Sequence, residues 1–372
     1  MQETEAFAVL TSIPYLGAIR IRFLVEKFGS ALNALQTPTE QLEKLAGFDR
    51  ILPHWNQWSK NTIWQNDLAL VEKLGAELIP FTSPLFPKSL LEIPDHPALL
   101  YVQGELKSQD QHSIAIVGTR NASIYGNEMA HQIARDLASH GFSVISGLAR
   151  GVDTSAHRGA LERGGRTLAV IGSGLADIYP PENRELAQEI SQKGVLISEF
   201  GMATPPDRQN FPQRNRIVSG MTLATLLIEA PIKSGAMITM EKALTQKRKL
   251  FALPGRADNE NFRGNHTLIK NGKAQLIENA ADILCHFEGL FPLPSIKRSG
   301  NQTFIFDKQE TSLLNKMTQE EIGIDDLALL TNLPVNQVHT TLMGLVLKKI
   351  VKEFPGKLYK KIIETDKPAH RK

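Results

Sequence analysis

Through the middle of the chain, short apolar runs rich in β-branched residues recur. Gly or Ser closes four of them, and stretches with helical spacing lie between. Ile114 to Val117 is one such run, closed by Gly118, and its length and composition suit a buried strand. After it, Met129, Ile133, Ala134 and Leu137 recur at helical intervals between Glu128 and Ala138, which predicts a helix with one buried face. The alternation continues with strands at Phe142 to Ile145, Thr167 to Ile171, Val195 to Ser198, Leu223 to Ile228 and Leu250 to Leu253, and a helix through Ala156 to Glu162. This pattern predicts an α/β fold, a doubly wound core with a parallel sheet over residues 112–290.

The flanks differ. Residues 1–65 read as short helices, with Tyr15-Leu16-Gly17 as a tight turn between two apolar-periodic segments. That is a helix-hairpin-helix (or SAM-like) plan, whose turn amides can hold a DNA phosphate. The segment is acidic, however, so docking on partners is the alternative. Residues 66–111 carry Pro80, Pro84, Pro87, Pro94 and Pro97, which predicts an extended connection packed on the core, with a short strand at Ala98 to Val102. Residues 291–303 have linker composition. Over residues 304–365, three helical segments precede two strands around Pro355-Gly356, a winged-helix plan. Its third helix, around Asn336 to Leu342, is polar enough for a major groove, while its lysines gather at Lys348 to Lys361. Contact with DNA through the wing and docking on protein both stay open.

Charge sharpens the picture. The net charge is only +3, yet Arg208 to Lys273 holds twelve Lys/Arg against four Asp/Glu, whereas residues 1–107 hold nine against twelve. A basic core favours a polyanionic partner. The single cysteine, Cys285, argues against a disulfide framework. With no apolar run of membrane-spanning length and Glu3 and Glu5 in place of a basic leader, the expectation is a cytoplasmic protein without membrane contact. A Walker phosphate loop, a Gly-x-Gly-x-x-Gly turn after the first core strand and metal-ligand spacing are all missing, so neither cofactor nor metal is expected.

Candidate chemistry sits in the loops after the strands. These bring Gly118, Thr119 and Arg120, at a helix N-terminus whose amides suit a phosphate; Gly147, Arg150 and Gly151; Gly172, Tyr179 and Asn183; Phe211, Arg214, Asn215 and Arg216; and Lys233, Ser234, Gly235 and Thr239. Guanidinium forks suit phosphates, and aromatic rings suit unstacked bases. Together they point to single-stranded DNA, since a duplex hides its base faces. Asp153 and His157, four apart, read as a helix-start cap or as an acid–histidine pair.

Several of these motifs, in order and spacing, resemble the bacterial DNA-processing protein DprA (Smf) family: Gly118-Thr119-Arg120, the run from Ser146 to His157, Gly172 to Asn183, Ser198-Glu199, Phe211 to Arg216, Ser234 to Thr239 and Leu253-Pro254-Gly255. The resemblance implies an extended Rossmann-like core that binds single-stranded DNA, forms a homodimer, and loads the RecA recombinase during natural transformation. It implies that Arg120, Arg214 and Arg216 hold phosphates, with Tyr179, Asn183 and Phe211 as further candidates. For the dimer it points to the apolar stretch His266 to Cys285, with His266, Ile269 and Leu276 as contacts, although such a stretch can equally be buried within one copy. The chain departs from the family at Ala176-Asp177 and at Asn271 to Ile277. The expected function is non-enzymatic. The rival is a nucleotide phosphoribohydrolase, in which Glu229 would stabilise a cationic centre while Arg120 or Arg216 held a 5′-phosphate; the Gly-Gly-x-Gly-Thr loop of such enzymes is lacking before Glu229.

Overall fold

The computed structural model describes residues 1–287, 289, 306–318, 320–348, 350–354 and 356–361; the predicted linker, residues 291–303, lies outside them. The chain divides into two units, Met1–Pro294 and Ser295–Lys372. The first opens with six helices: α1 (Glu3–Ser12), α2 (Ala18–Phe28), α3 (Ala31–Leu35), α4 (Thr39–Leu42), α5 (Leu52–Trp55) and α6 (Ile63–Leu74). Next come β1 (Ala76–Pro80), α7 (Lys88–Leu91) and β2 (Leu99–Gly104). Strand and helix then alternate through β3 (Ser113–Val117), α8 (Ile124–Ser139), β4 (Ser143–Ser146), α9 (Val152–Glu162), β5 (Thr167–Val170), α10 (Arg184–Lys193) and β6 (Val195–Ser198). The unit closes with α11 (Asn210–Gly220), β7 (Ala224–Leu227), α12 (Gly235–Thr245), β8 (Lys249–Ala252), α13 (Arg263–Lys270), β9 (Gln275–Leu276) and α14 (Ala280–Leu284).

The nine strands form one sheet in the order β1-β2-β6-β5-β4-β3-β7-β8-β9. Only β2 runs against its neighbours; every pairing from β6 across to β9 is parallel. From β3 the chain builds outward first to one side and then, through β7, to the other, so the topological switch lies between β3 and β7. The two-residue period of a strand divides the core. Ile114 and Ile116 pack with α8 and α9, while Ala115 and Val117 pack with α11 and α12. Each predicted core strand is present within a residue or so at either end.

Three features go beyond the sequence expectation. α8 begins at Ile124 rather than Glu128, because Ser123 caps it, its Oγ accepting from the Gly126 amide at 3.0 Å. The N-terminal helices share a core with the sheet: Phe7, Leu24 and Trp55 belong to the same cluster as Leu186, Ile190, Ala169 and Leu196. The Pro-rich segment supplies β1 and β2 to the sheet itself. In the stretch read as a dimer contact, Leu268, Ile277 and Ile283 are internal and Ile269 packs partly against the core. His266 bonds the Gly255 carbonyl through Nε2 at 3.0 Å. Leu276, on the edge strand β9, is 44% exposed.

The second unit contains α15 (Lys308–Lys316), β10 (Ile322–Gly323), α16 (Ile324–Thr331), α17 (Val335–Leu347), β11 (Val351–Phe354) and β12 (Leu358–Lys361). Its antiparallel sheet runs β10-β12-β11, over a core that includes Leu313, Leu327, Val338, Leu342 and Tyr359. Among the described residues, no helix is long and apolar enough to cross a membrane.

At the N-terminal edge of the parallel strands, the buried Arg166 and Asp110 form a forked pair at 2.6 and 2.8 Å. Ser143 Oγ and the Lys107 amide also donate to this carboxylate, both at 2.8 Å. Removing one member of a buried pair strands the other charge. Asp110→Ala is therefore expected to destabilise the first unit by about 3–5 kcal/mol, read as a shift of the urea midpoint at unchanged slope.

Candidate nucleic-acid interface

A cleft of about 730 Å³ opens at the C-terminal ends of the strands, at the switch between β3 and β7. Gly118, Thr119 and Arg120 enter it from β3, Gly147 from β4, and Tyr179 from the loop after β5. Phe211, Arg214 and Asn215 come from α11, and Lys233, Ser234, Gly235 and Thr239 from the start of α12. Arg120, Lys233 and a residue the sequence reading overlooked, Arg208, are exposed there. The carboxylate among the lining residues, Asp153, is buried. Ser234 caps α12 through the Met237 amide, so the positive end of that helix also faces the cleft. The signal for Arg208 was its place at the start of the basic stretch, after Pro205-Pro206-Asp207.

Phe211 anchors the aromatic group. The Arg120 guanidinium lies 5.0 Å and that of Arg214 5.9 Å from its ring centre, and Tyr179 is tilted against it at 6.0 Å. Gly172 is required beneath: a Cβ there would stand 2.8 Å from the ring. Phe211 is thus a platform for Arg120 rather than a free stacking ring. The surfaces left for a base are Tyr179, half-buried, and the outer plane of Arg120.

Arg214 is not the open phosphate fork that was expected. It is 4% exposed, and its Nη1 donates to the carbonyls of Gly147 and Val170, at the ends of β4 and β5. Asp153 balances its charge and accepts from the amides of Gly147 and Ala149 at 3.1 and 3.3 Å. Burial, with nearby Arg120 adding to it, lowers the Arg214 guanidinium to about 10 against that help. Arg216 is a second correction. Its Nη2 donates to both carboxylate oxygens of Glu199 at 2.5 and 2.6 Å and its Nε approaches Asp95 at 3.7 Å, in a separate cleft with Leu16, Gly17 and Arg20. Residues two apart on a helix point to different faces, so α11 cannot send both arginines into one site.

The N-terminus of α8 is corrected too. In place of a phosphate it holds an internal anion: Glu229, fully buried, accepts from Ser123 Oγ at 2.6 Å, Ser123 N at 3.1 Å and Asn261 Nδ2 at 2.9 Å. Gly151, at φ +72°, brings its loop so close to the Thr119 carbonyl that a Cβ would stand 2.5 Å from it. Asn183 is buried, donating to the Leu148 carbonyl and Thr154 Oγ1 at 2.9 and 2.8 Å. Both shape the site without facing it. Arg150 is exposed, pairs with Glu182, and lines a recess with Arg120, Tyr179 and Phe211. Among the described residues, no cluster of His, Cys, Asp or Glu could hold a metal.

Asp153 and His157 do not form a pair. The Leu148 amide donates to His157 Nε2 at 3.3 Å, and Nδ1 donates to Thr167 Oγ1 at 2.7 Å, while that hydroxyl donates to the Val144 carbonyl. Burial, with Arg214 adding to it, lowers the imidazole to about 3.

A family model described as DNA recombination-mediator protein A matches residues 77–288, more than half of the sequence. The chain belongs to that family. It is 37% identical to Protein Smf of Escherichia coli over 299 residues, 78% of this chain and 79% of that one. The X-ray structure of DNA processing protein A from Streptococcus pneumoniae superposes with a TM-score of 0.66 at 29% identity, covering 77% of this chain and 99% of the other. A second family structure is DNA processing protein A from Helicobacter pylori, described for its single-stranded DNA binding mode. It matches at TM-score 0.52 and 31% identity, over 57% of this chain and 95% of that one.

The geometry separates two roles. Arg214→Ala strands the buried Asp153 and is expected to cost about 3–5 kcal/mol of stability, whereas Arg120→Ala should stay within about 0.5 kcal/mol; chemical denaturation of both variants measures this. Since the folded-state value of His157 is depressed, its contribution to stability is complete above its unfolded value near 6.5 and is lost as pH falls below it. At pH 5 it should have given up about 2 kcal/mol. Its imidazole resonances are expected to keep their neutral-form positions down to pH 4.

Proposed function

We propose that this protein binds single-stranded DNA in the cleft between β3 and β7 and, without enzymatic activity, protects the strand and loads it with RecA during natural transformation. One observation carries the binding step. Exposed Arg120, Arg208 and Lys233, together with the N-terminus of α12, surround an aromatic group offering the Tyr179 ring and the Arg120 plane. Cations suit the backbone of the strand and planar surfaces suit its unpaired bases. Kinship with a protein described for its single-stranded DNA binding mode supports the same reading. The phosphoribohydrolase alternative draws no support from Glu229, whose carboxylate is already bound to Ser123 and Asn261 beneath α8.

The finer parts of the proposal follow from particular elements. The second unit is read as a winged helix, with α17 or the strands β11 and β12 contacting DNA or protein. The α2 turn is read as a helix-hairpin-helix whose acidic surroundings suit protein docking. A homodimer would form along the free edge of β9 around Leu276.

Arg120→Ala and Lys233→Ala should each weaken binding to a labelled oligonucleotide. Each should also flatten the plot of log affinity against log salt by about 0.7, because one phosphate contact is lost. Tyr179→Ala should cost about 1–3 kcal/mol of affinity. Unchanged binding in all three variants would place the site elsewhere. For the assembly, Leu276→Arg is expected to yield a folded monomer where the wild type sediments as a dimer at micromolar concentration.

A further inference from the structure

The rim of the cationic cleft carries a carboxylate that strand binding has no use for. Arg150 shares a recess with Arg120, Tyr179 and Phe211, yet its Nε donates to Glu182 Oε1. Both side chains stay about half exposed, at 54% and 49%, so solvent and ligands reach the pair. Nor is the meeting a chance of two flexible loops. Asn183, next to Glu182, is buried and ties its amide to the Leu148 carbonyl and to Thr154 Oγ1, residues on either side of Arg150. Pro180 and Pro181 stiffen the backbone just before Glu182. The two loops are therefore fixed together at the point where the carboxylate meets the guanidinium.

We propose that Glu182 is a built-in competitor for Arg150, a carboxylate that occupies the guanidinium until a DNA phosphate displaces it. This rests on the single-strand reading above and adds a control on grip to that site. A strand that engages Arg150 must first break the pair. As its phosphate leaves, the carboxylate retakes the guanidinium, which lowers affinity and speeds release. Because the pair is exposed, the effect is moderate, about two- to fivefold in the dissociation constant.

The test uses the full-length protein, a labelled single-stranded oligonucleotide and anisotropy across salt. Glu182→Gln keeps the size of the side chain and removes its charge. It should bind about two- to fivefold more tightly at low salt and dissociate more slowly. Glu182→Asp, which withdraws the carboxylate by one methylene, should shift affinity in the same direction. Arg150→Ala should abolish the gain, so that Arg150→Ala with Glu182→Gln binds like Arg150→Ala alone. If wild type binds and both Glu182 variants bind equally or less well, the competitor role is overturned. If the double variant keeps the gain, the effect is long-range charge and the pairing with Arg150 is overturned. Failure of wild type itself to bind single strands would instead bring down the parent reading, and this inference with it.

Discussion

A single buried guanidinium holds the site together. Arg214 has left water almost completely, at 4% exposure, and a cation in that position is tolerable only if its surroundings are fixed around it. The carbonyls ending β4 and β5 accept from one of its nitrogens, Asp153 supplies the countercharge, and the amides of Gly147 and Ala149 lock that carboxylate in turn. Gly147 has no side chain because Arg214 fills the space: a Cβ there would stand 2.2 Å from Nη1. Two strand-end loops and α11 thus become one rigid body. On its outer surface Phe211 is held still enough to carry Arg120. The cation that organises the cleft is spent on structure, and its exposed neighbours meet the solvent.

Much of this was legible in the chain. The parallel strands announced themselves as short apolar runs, four of them with glycine or serine behind them, because strands covered by helices on both faces need apolar residues at most positions. The loops that line the cleft were identified for the same reason: in a doubly wound sheet they must gather at the strand ends. Sequence could not tell which arginine in Phe211 to Arg216 faces outward. That depends on where α11 starts and on how it lies across the sheet. Two residues on, its direction had changed, and Arg216 was committed to Glu199. Arg208 was passed over because it stands outside any recognisable motif; only its neighbourhood of positive charge marked it.

The helix that follows β3 poses a second case. A strand–loop–helix turn rich in small residues looks like a phosphate cradle, because uncapped amides at a helix start favour any anion. Here the protein brings its own anion, Glu229, which lies buried where the cradle would be. A helix N-terminus in a sequence is thus an offer to negative charge from any source, and a distant carboxylate can take it first. The same competition recurs, exposed to solvent, at Arg150.

The shared core of the N-terminal helices and the sheet bears on how the chain reaches this state. Phe7, Leu24 and Trp55 share one buried cluster with residues as distant in sequence as Ile190, Leu196 and Met202, and β2 must wait for β6 before it gains its second neighbour. At the ribosome, the first helices therefore emerge with apolar faces whose covering has not yet been synthesised. β3, inside the sheet, likewise has no partner on its β7 side until more than a hundred further residues are made. Such long-range closure makes for slow folding, and it leaves the nascent amino-terminal half a natural client for chaperones that shield apolar surface.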